Sequence, residues 1–171
     1  MAFPPQTDIG GGTIPLTLAV NTYVTLAEAE AYLDTRLHAE SWRAATADDK
    51  TRALISAQRA LSRIPYRWHK TTLAQVLDFP RISRETDDSF YYATDPTVVP
   101  RLVKDAQCEE ALALLVNDVR ALAQSQGVTS QSAGDASESY APRSQAGLLS
   151  AEAHRMLAPW IESTLRIARP R

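Results

Sequence analysis

Between residues 127 and 147 the chain carries almost nothing that a protein core can use. The segment reads GVTSQSAGDASESYAPRSQAG. It follows a long stretch with helical apolar periodicity and precedes a second amphipathic stretch. A connector of about twenty residues with so little apolar content is longer than compact domains ordinarily contain. Such a segment is either a linker or is ordered by something outside its own domain. Val128, Ser130 and Ser132 alternate with Thr129, Gln131 and Ala133, and Ser137-Glu138-Ser139-Tyr140 follows. That pattern predicts an extended strand, polar on both faces, as suits an edge strand added to a partner.

The remainder reads as mainly α. Leu26, Ala29, Leu33 and Leu37 share one helical face, opened by Thr25 with Glu28 in a capping box. A short helix includes Ser41 and Trp42. Thr46 caps the next helix, with Asp48 and Asp49 near its positive end and Leu54, Ala57, Leu61 and Ile64 as its stripe. Pro65 ends it. Pro100 sits at the first turn of a longer helix with Cys108, Ala111, Leu112, Leu115, Val119 and Leu122 on one side. Arg101, Asp105, Glu109, Asp118 and Arg120 are assigned to its outer face, and Gly127 closes the region. Glu28, Glu30, Glu109 and Glu110 read as solvated. Ser150 caps a last helix carrying Met156, Leu157, Trp160, Ile161 and Leu165.

The expected architecture is a small helical bundle with an extended N-terminal arm, an extended strand-like segment and a detached C-terminal helix. Its divisions are an arm (1–21), a bundle core (22–126), an inter-subunit segment (127–147) and a docking helix with tail (148–171). In the arm, Gly10-Gly11-Gly12 reads as a hinge, because no Lys-Ser/Thr follows to make a phosphate loop. Ile14, Leu16, Leu18 and Val20 alternate as a short strand would. The last helix has two possible destinations, its own domain or another subunit, and the polar connector favours the second.

Composition narrows the function. Lys plus Arg number 18 and Asp plus Glu 20, for a net charge of −2, whereas a dedicated nucleic-acid binder is usually clearly basic. The single cysteine, Cys108, excludes an intramolecular disulfide and fits a reducing compartment. No signal peptide is read at the N-terminus, and no apolar run approaches the ~20 residues that span a bilayer. His38, His69 and His154 lie in separate segments without a neighbouring ligand, so no metal or cofactor is expected. Cys108 lies on an apolar stripe and reads as an inert buried thiol. No serine sits in a nucleophile elbow, and no enzyme is expected.

One cluster suits nucleic acid. Arg63, Tyr66, Arg67, Trp68, His69 and Lys70 interleave cations with rings, as a single-strand binder would. The structural reading of the same residues is that Tyr66 and Trp68 plug the end of a helix pair while the charges face water. The net charge favours that reading.

Several motifs, in order, resemble tailed-bacteriophage head–tail adaptor (head-completion) proteins. They are Asn21–Ala29, Trp68 followed by Leu77-Asp78-Phe79-Pro80-Arg81, Val99–Glu109, the Ser130–Tyr140 segment and Leu149–Trp160. Some similar sequences carry a DnaT-like single-stranded DNA-binding label, which supplies the rival reading through Arg63, Arg67, Trp68 and Lys70. The adaptor resemblance implies a dodecameric ring beneath the portal in the virion neck, assembled in the host cytoplasm. Its partners would be further copies of itself, the portal, and a stopper or tail-completion protein. DNA would pass the lumen without specific binding, and no membrane is involved. Leu148, Leu149, Met156, Leu157, Trp160, Ile161 and Leu165 would then dock on the portal. Val128, Ser130, Ser132, Gly134, Asp135, Ser137 and Tyr140 would run along a neighbouring subunit. The expected lumen residues are Asp105, Glu109 and Asp118.

Overall fold

The computed structural model describes residues 15–82, 97–116, 130–133, 136–139 and 148–162. In chain order its elements are α1 (Leu26–Asp34), α2 (Glu40–Ala44), α3 (Ala47–Leu61), β1 (His69–Lys70), β2 (Arg81–Ile82), α4 (Arg101–Leu115), β3 (Ser130–Ala133), β4 (Ala136–Ser139) and α5 (Ala151–Leu157). A 3₁₀ turn, Ala158–Trp160, follows α5 directly.

The capping chemistry forms as the sequence requires. Thr25 accepts from the Glu28 amide while the Glu28 carboxylate accepts from the Thr25 amide, completing the box. Thr46 accepts from the Asp49 amide at the start of α3, and Ser150 from the Ala153 amide at the start of α5. Pro100 is the residue before the first turn of α4, where its missing N–H removes no helical bond.

Helix α4 is the centre of the fold. Every residue from Ala106 to Leu112 is buried, which only a helix enclosed on all sides achieves. On one side Val103 and Ala106 join Tyr23, Leu61, Ile64, Leu77, Phe79, Leu148, Leu157 and Trp160. On the other, Cys108, Ala111 and Leu112 join Val24, Leu33, Trp42, Leu54 and Ala57. One helix thus connects two apolar clusters, and α3 contributes to both.

Because the middle of α4 is enclosed, its polar side chains Gln107, Glu109 and Glu110 lie inside, and the assignment of an outer face to Glu109 is corrected. Glu109 is 4% exposed and is held by the Arg36 guanidinium at 2.7 Å and the Tyr32 hydroxyl at 2.9 Å. Asp105 is half-buried, with Arg101 beside it at 3.5 Å. Neither forms an open acidic lining, and Asp118 lies outside the described residues. Glu110, read as solvated, is 1% exposed. Gln107 is fully buried, accepts from the Tyr23 amide and donates to Thr22 Oγ1 and the Leu54 carbonyl. Glu109 and Gln107 each meet complementary groups, the condition for burying them at low cost.

The C-terminal helix is not detached. Leu148, Leu157 and Trp160 are core residues, with Met156 and Ile161 packed against the same cluster. The Glu110 carboxylate accepts from the backbone amides of Leu149 at 2.9 Å and Ser150 at 2.8 Å, fastening the start of α5 to α4. Further along, the Arg67 amide donates to the Trp160 carbonyl, the Glu162 amide donates to that of Pro65, and Tyr66 bridges Ile161. Separation along the chain misled the sequence reading. Each doubling of a loop costs only about 0.6 kcal/mol of closure entropy, which a buried tryptophan easily outweighs. Leu148, Leu157 and Trp160 are therefore not free to dock on a portal. Leu149 is half-buried, and Leu165 lies outside the described residues.

Two smaller expectations also change. Residues 130–133 and 136–139 are extended, but β3 and β4 pair antiparallel with each other, from Ser130 opposite Ser139 to Ala133 opposite Ala136. That register makes Ser130, Ser132 and Ser137 parts of an antiparallel pair within the chain, where a single strand added to a partner was expected. Val128, Gly134, Asp135 and Tyr140 fall outside the described residues. Near the N-terminus, residues 17–22 form a tight turn with one isolated Leu18–Thr22 bridge where alternation predicted a strand. The Asn21 side chain closes that turn, accepting from the Thr17 amide and donating to the Pro15 carbonyl. The glycine hinge and the Asp87–Tyr92 loop lie outside the described residues.

Candidate functional site

The basic–aromatic segment becomes a platform built around one arginine. After α3, residues 62–68 lead into β1, which pairs antiparallel with β2 through His69 opposite Ile82 and Lys70 opposite Arg81. Arg81 turns inward. Its Nε donates to the Arg67 carbonyl at 2.8 Å, Nη1 to that of Asp78 at 3.1 Å, and Nη2 to those of Tyr66 and Trp68. The guanidinium also lies over the rings of Tyr66 and Phe79, 5.5 and 6.0 Å from their centroids. Burial lowers its pKa from the usual arginine value. A planar fork with five donors can satisfy four carbonyls at once, which lysine cannot do.

This clip explains the leucine–x–aromatic–Pro–Arg element physically. Leu77 and Phe79 enter the core, and Phe79 meets Tyr66 and Trp160 edge-on, with centroids 4.9 and 5.8 Å away. The Phe79–Pro80 peptide bond is cis. The Tyr23 hydroxyl accepts from the Asp78 and Phe79 amides, and burial pushes its pKa up to about 12. Trp68 has φ 66°, a left-handed conformation that a bulky residue keeps only where its surroundings over-determine it. Arg81, bonded to the carbonyls of the two residues before it and to its own, supplies that constraint.

The structure separates the four proposed nucleic-acid contacts. Trp68 is half-buried and packs on the core with Tyr66, as the plug reading expected. Lys70 donates to the Val76 carbonyl and lies 3.5 Å from Asp78. Arg63 and Arg67 are exposed, and Arg67 lies over the Trp68 ring, 5.5 Å from its centroid. Two aliphatic side chains also stand outward. Leu73 is fully exposed and Val76 is 62% exposed. Their loop is fixed by Gln75, whose side-chain amide donates to the Leu77 and Pro80 carbonyls. A surface cavity of about 440 Å³ lies beside it, lined by residues 68–73 with Asp78 and Arg81.

A second concavity, about 560 Å³, lies between α1 and the start of α4. Its lining includes Tyr32, Val98, Val99, Lys104 and Cys108. Burial pushes the Cys108 thiol up to about 12, so it stays protonated and unreactive near neutral pH. Tyr32 is raised by burial and by its bond to Glu109. Glu28 is lowered, chiefly by the hydrogen bond from Lys104. Among the described residues, no three His, Cys, Asp or Glu side chains are grouped to hold a metal ion. No described helix is long and apolar enough to cross a membrane.

Sequence reading missed Arg81 and Glu110 as the two charges that organise the fold. A signal was present for each. Arg81 follows Phe79-Pro80 directly, and Glu110 lies in the run AQCEEALALL, which has too few polar residues for a solvated face.

No curated protein and no solved structure matches the chain. One family model matches residues 14–169, nearly the whole sequence, so the chain belongs to the family described as "Putative DnaT-like ssDNA binding protein".

Proposed function

We propose that this chain is a structural head–tail adaptor of a tailed phage. It would form a ring under the portal, dodecameric by the resemblance, that joins the portal to a stopper or tail-completion protein and surrounds the DNA channel in the virion neck. The observation that carries this reading is the orientation of the 66–81 platform. Phe79 is buried and Tyr66 and Trp68 pack against the core, while Leu73 and Val76 stand outward on a braced loop. A single-strand binder needs exposed rings on which bases stack. An exposed aliphatic tip favours protein contact. The order of the adaptor-like motifs from Asn21 to Trp160 also supports it.

The matched family's description favours a second reading, single-stranded DNA binding, which would rest on Arg63 and Arg67. The slight net negative charge weighs against it.

Co-assembly with the portal from the same genome, imaged by electron microscopy, tests the adaptor reading. The reading expects rings capping the portal, lost in Leu73→Asp plus Val76→Asp while circular dichroism stays helical. Portals left bare by the folded wild-type chain would refute it. Truncation after residue 147 is not a usable control, because it removes Leu148, Leu157 and Trp160 from the core.

A further inference from the structure

Charge is segregated along α3. At its N-terminal end lie Asp34, Glu40 and Asp48, none ion-paired among the described residues. In its last turn lies Arg59 and past its C-terminal end lie Arg63 and Arg67, also without a carboxylate partner among the described residues. The other charges near each end are largely neutralised. Lys50 holds Glu30, Arg52 holds Asp49 and Arg36 holds Glu109, while Lys70 and Arg81 share Asp78. Among the described residues one opposite charge accompanies each set, Arg43 at the acidic end and Glu162 at the basic end. Arg43 Nη2 donates to the Asp34 and Arg36 carbonyls, tying α1 and α2 together at one end. The 15-residue length of α3 separates the two sets, roughly 22 Å at helical rise.

Each end also exposes a leucine. Leu37, 77% exposed, follows α1 at the acidic end, and Leu73 stands beside the basic one. Two ends of opposite charge, each with an outward aliphatic side chain, are complementary to each other. One chain cannot bring its own ends together across α3, so the partner that fits is a second copy.

We infer that copies of this chain associate head to tail, with the Arg63, Arg67 and Leu73 end of one against the Asp34, Leu37 and Glu40 end of the next. Such a contact is heterologous, so it closes into a ring or continues as a filament. It deepens the adaptor reading and rests on it for closure. It also accounts for a nearly neutral chain with oppositely charged ends, since each copy neutralises its neighbour. Opposed charges steer association and set its orientation.

The test is a charge swap on the full-length chain, read by sedimentation velocity at low and physiological salt. Arg63→Glu plus Arg67→Glu reverses one end, and Asp34→Lys plus Glu40→Lys reverses the other. All four side chains are surface groups outside both cores, and circular dichroism checks that each variant folds. Each variant alone should weaken self-association by about tenfold or more. An equimolar mixture should restore it, because every junction then pairs opposite charges again. Unchanged association in both variants, or a mixture that stays dissociated, overturns the inference. A wild-type chain that stays monomeric at low salt also overturns it, while portal capture still decides the adaptor reading separately.

Discussion

Arg81 and Glu110 solve the same problem with opposite charges. Arg81 gathers four backbone carbonyls from residues 66–78. Glu110 gathers two backbone amides from residues 149 and 150. Both are charges placed inside the protein, where an isolated ion would be costly. The difference is reach. Arg81 works within about fifteen residues and shapes one surface platform, whereas Glu110 spans about forty and decides whether the C-terminal segment belongs to the domain. A local clip should fail locally, and a long-range junction should fail globally.

The strongest way to break that contrast is at the far side of the junction. Trp160→Ala removes a buried ring that packs on Phe79 and should cost about 3–5 kcal/mol. Denaturant unfolding measures it, and the loss should be shared by probes in both apolar clusters. Glu110→Ala should follow at about 2–4 kcal/mol, since two amides lose a charged acceptor in a buried site. Hydrogen exchange should then quicken at Leu149 and Ser150 and through α5. Protection of α5 that survives the change would place the junction elsewhere.

Arg81→Lys should cost less, about 1–3 kcal/mol, because a single ammonium cannot hold the carbonyls of residues 66–68 together with that of Asp78. The expected signature is a changed Trp68 environment in fluorescence, with exchange in α3 and α4 nearly unaltered. If unfolding becomes global, the clip is not local.

Alkaline pH gives a further check. The folded chain keeps the Cys108 proton from 9.0 up to about 12, while the unfolded chain releases it from about 9.0. Across that window the unfolded state binds fewer protons, so stability should fall as pH rises. Tyr23 acts in the same direction from 10.0 to about 12. Below pH 9 the Cys108 contribution should be flat, and a thiol reagent at pH 8 should label Cys108 only after unfolding. The smallest effect is expected for Arg63→Ala plus Arg67→Ala, within about 0.5 kcal/mol per site, because neither side chain fills the core.

The helices were legible because their signals are local. Thr25 with Glu28, Thr46 and Ser150 each announce a start within four residues, and the α3 stripe follows from spacing alone. The enclosure of α4 was not legible, because periodicity shows one apolar side and does not reveal a second partner. Spacing alone therefore places Glu109 and Glu110 in water and gives α5 no partner. Tyr66 and Trp68 illustrate the same limit at the candidate site. Their order with Arg67 and Lys70 suits base stacking, but which way a ring points depends on Arg81 and Trp160, which are distant in sequence. The β1–β2 pair, two residues per strand, is too short for alternation to mark.

The account depends on the platform facing protein through Leu73 and not nucleic acid through Trp68. Binding of a labelled single DNA strand, followed by fluorescence anisotropy at low and physiological salt, tests this most directly. The account predicts weak binding that disappears at physiological salt and is unchanged by Trp68→Phe. Tight binding that persists at physiological salt, and is lost with Trp68→Phe or with Arg63→Ala plus Arg67→Ala, would contradict it.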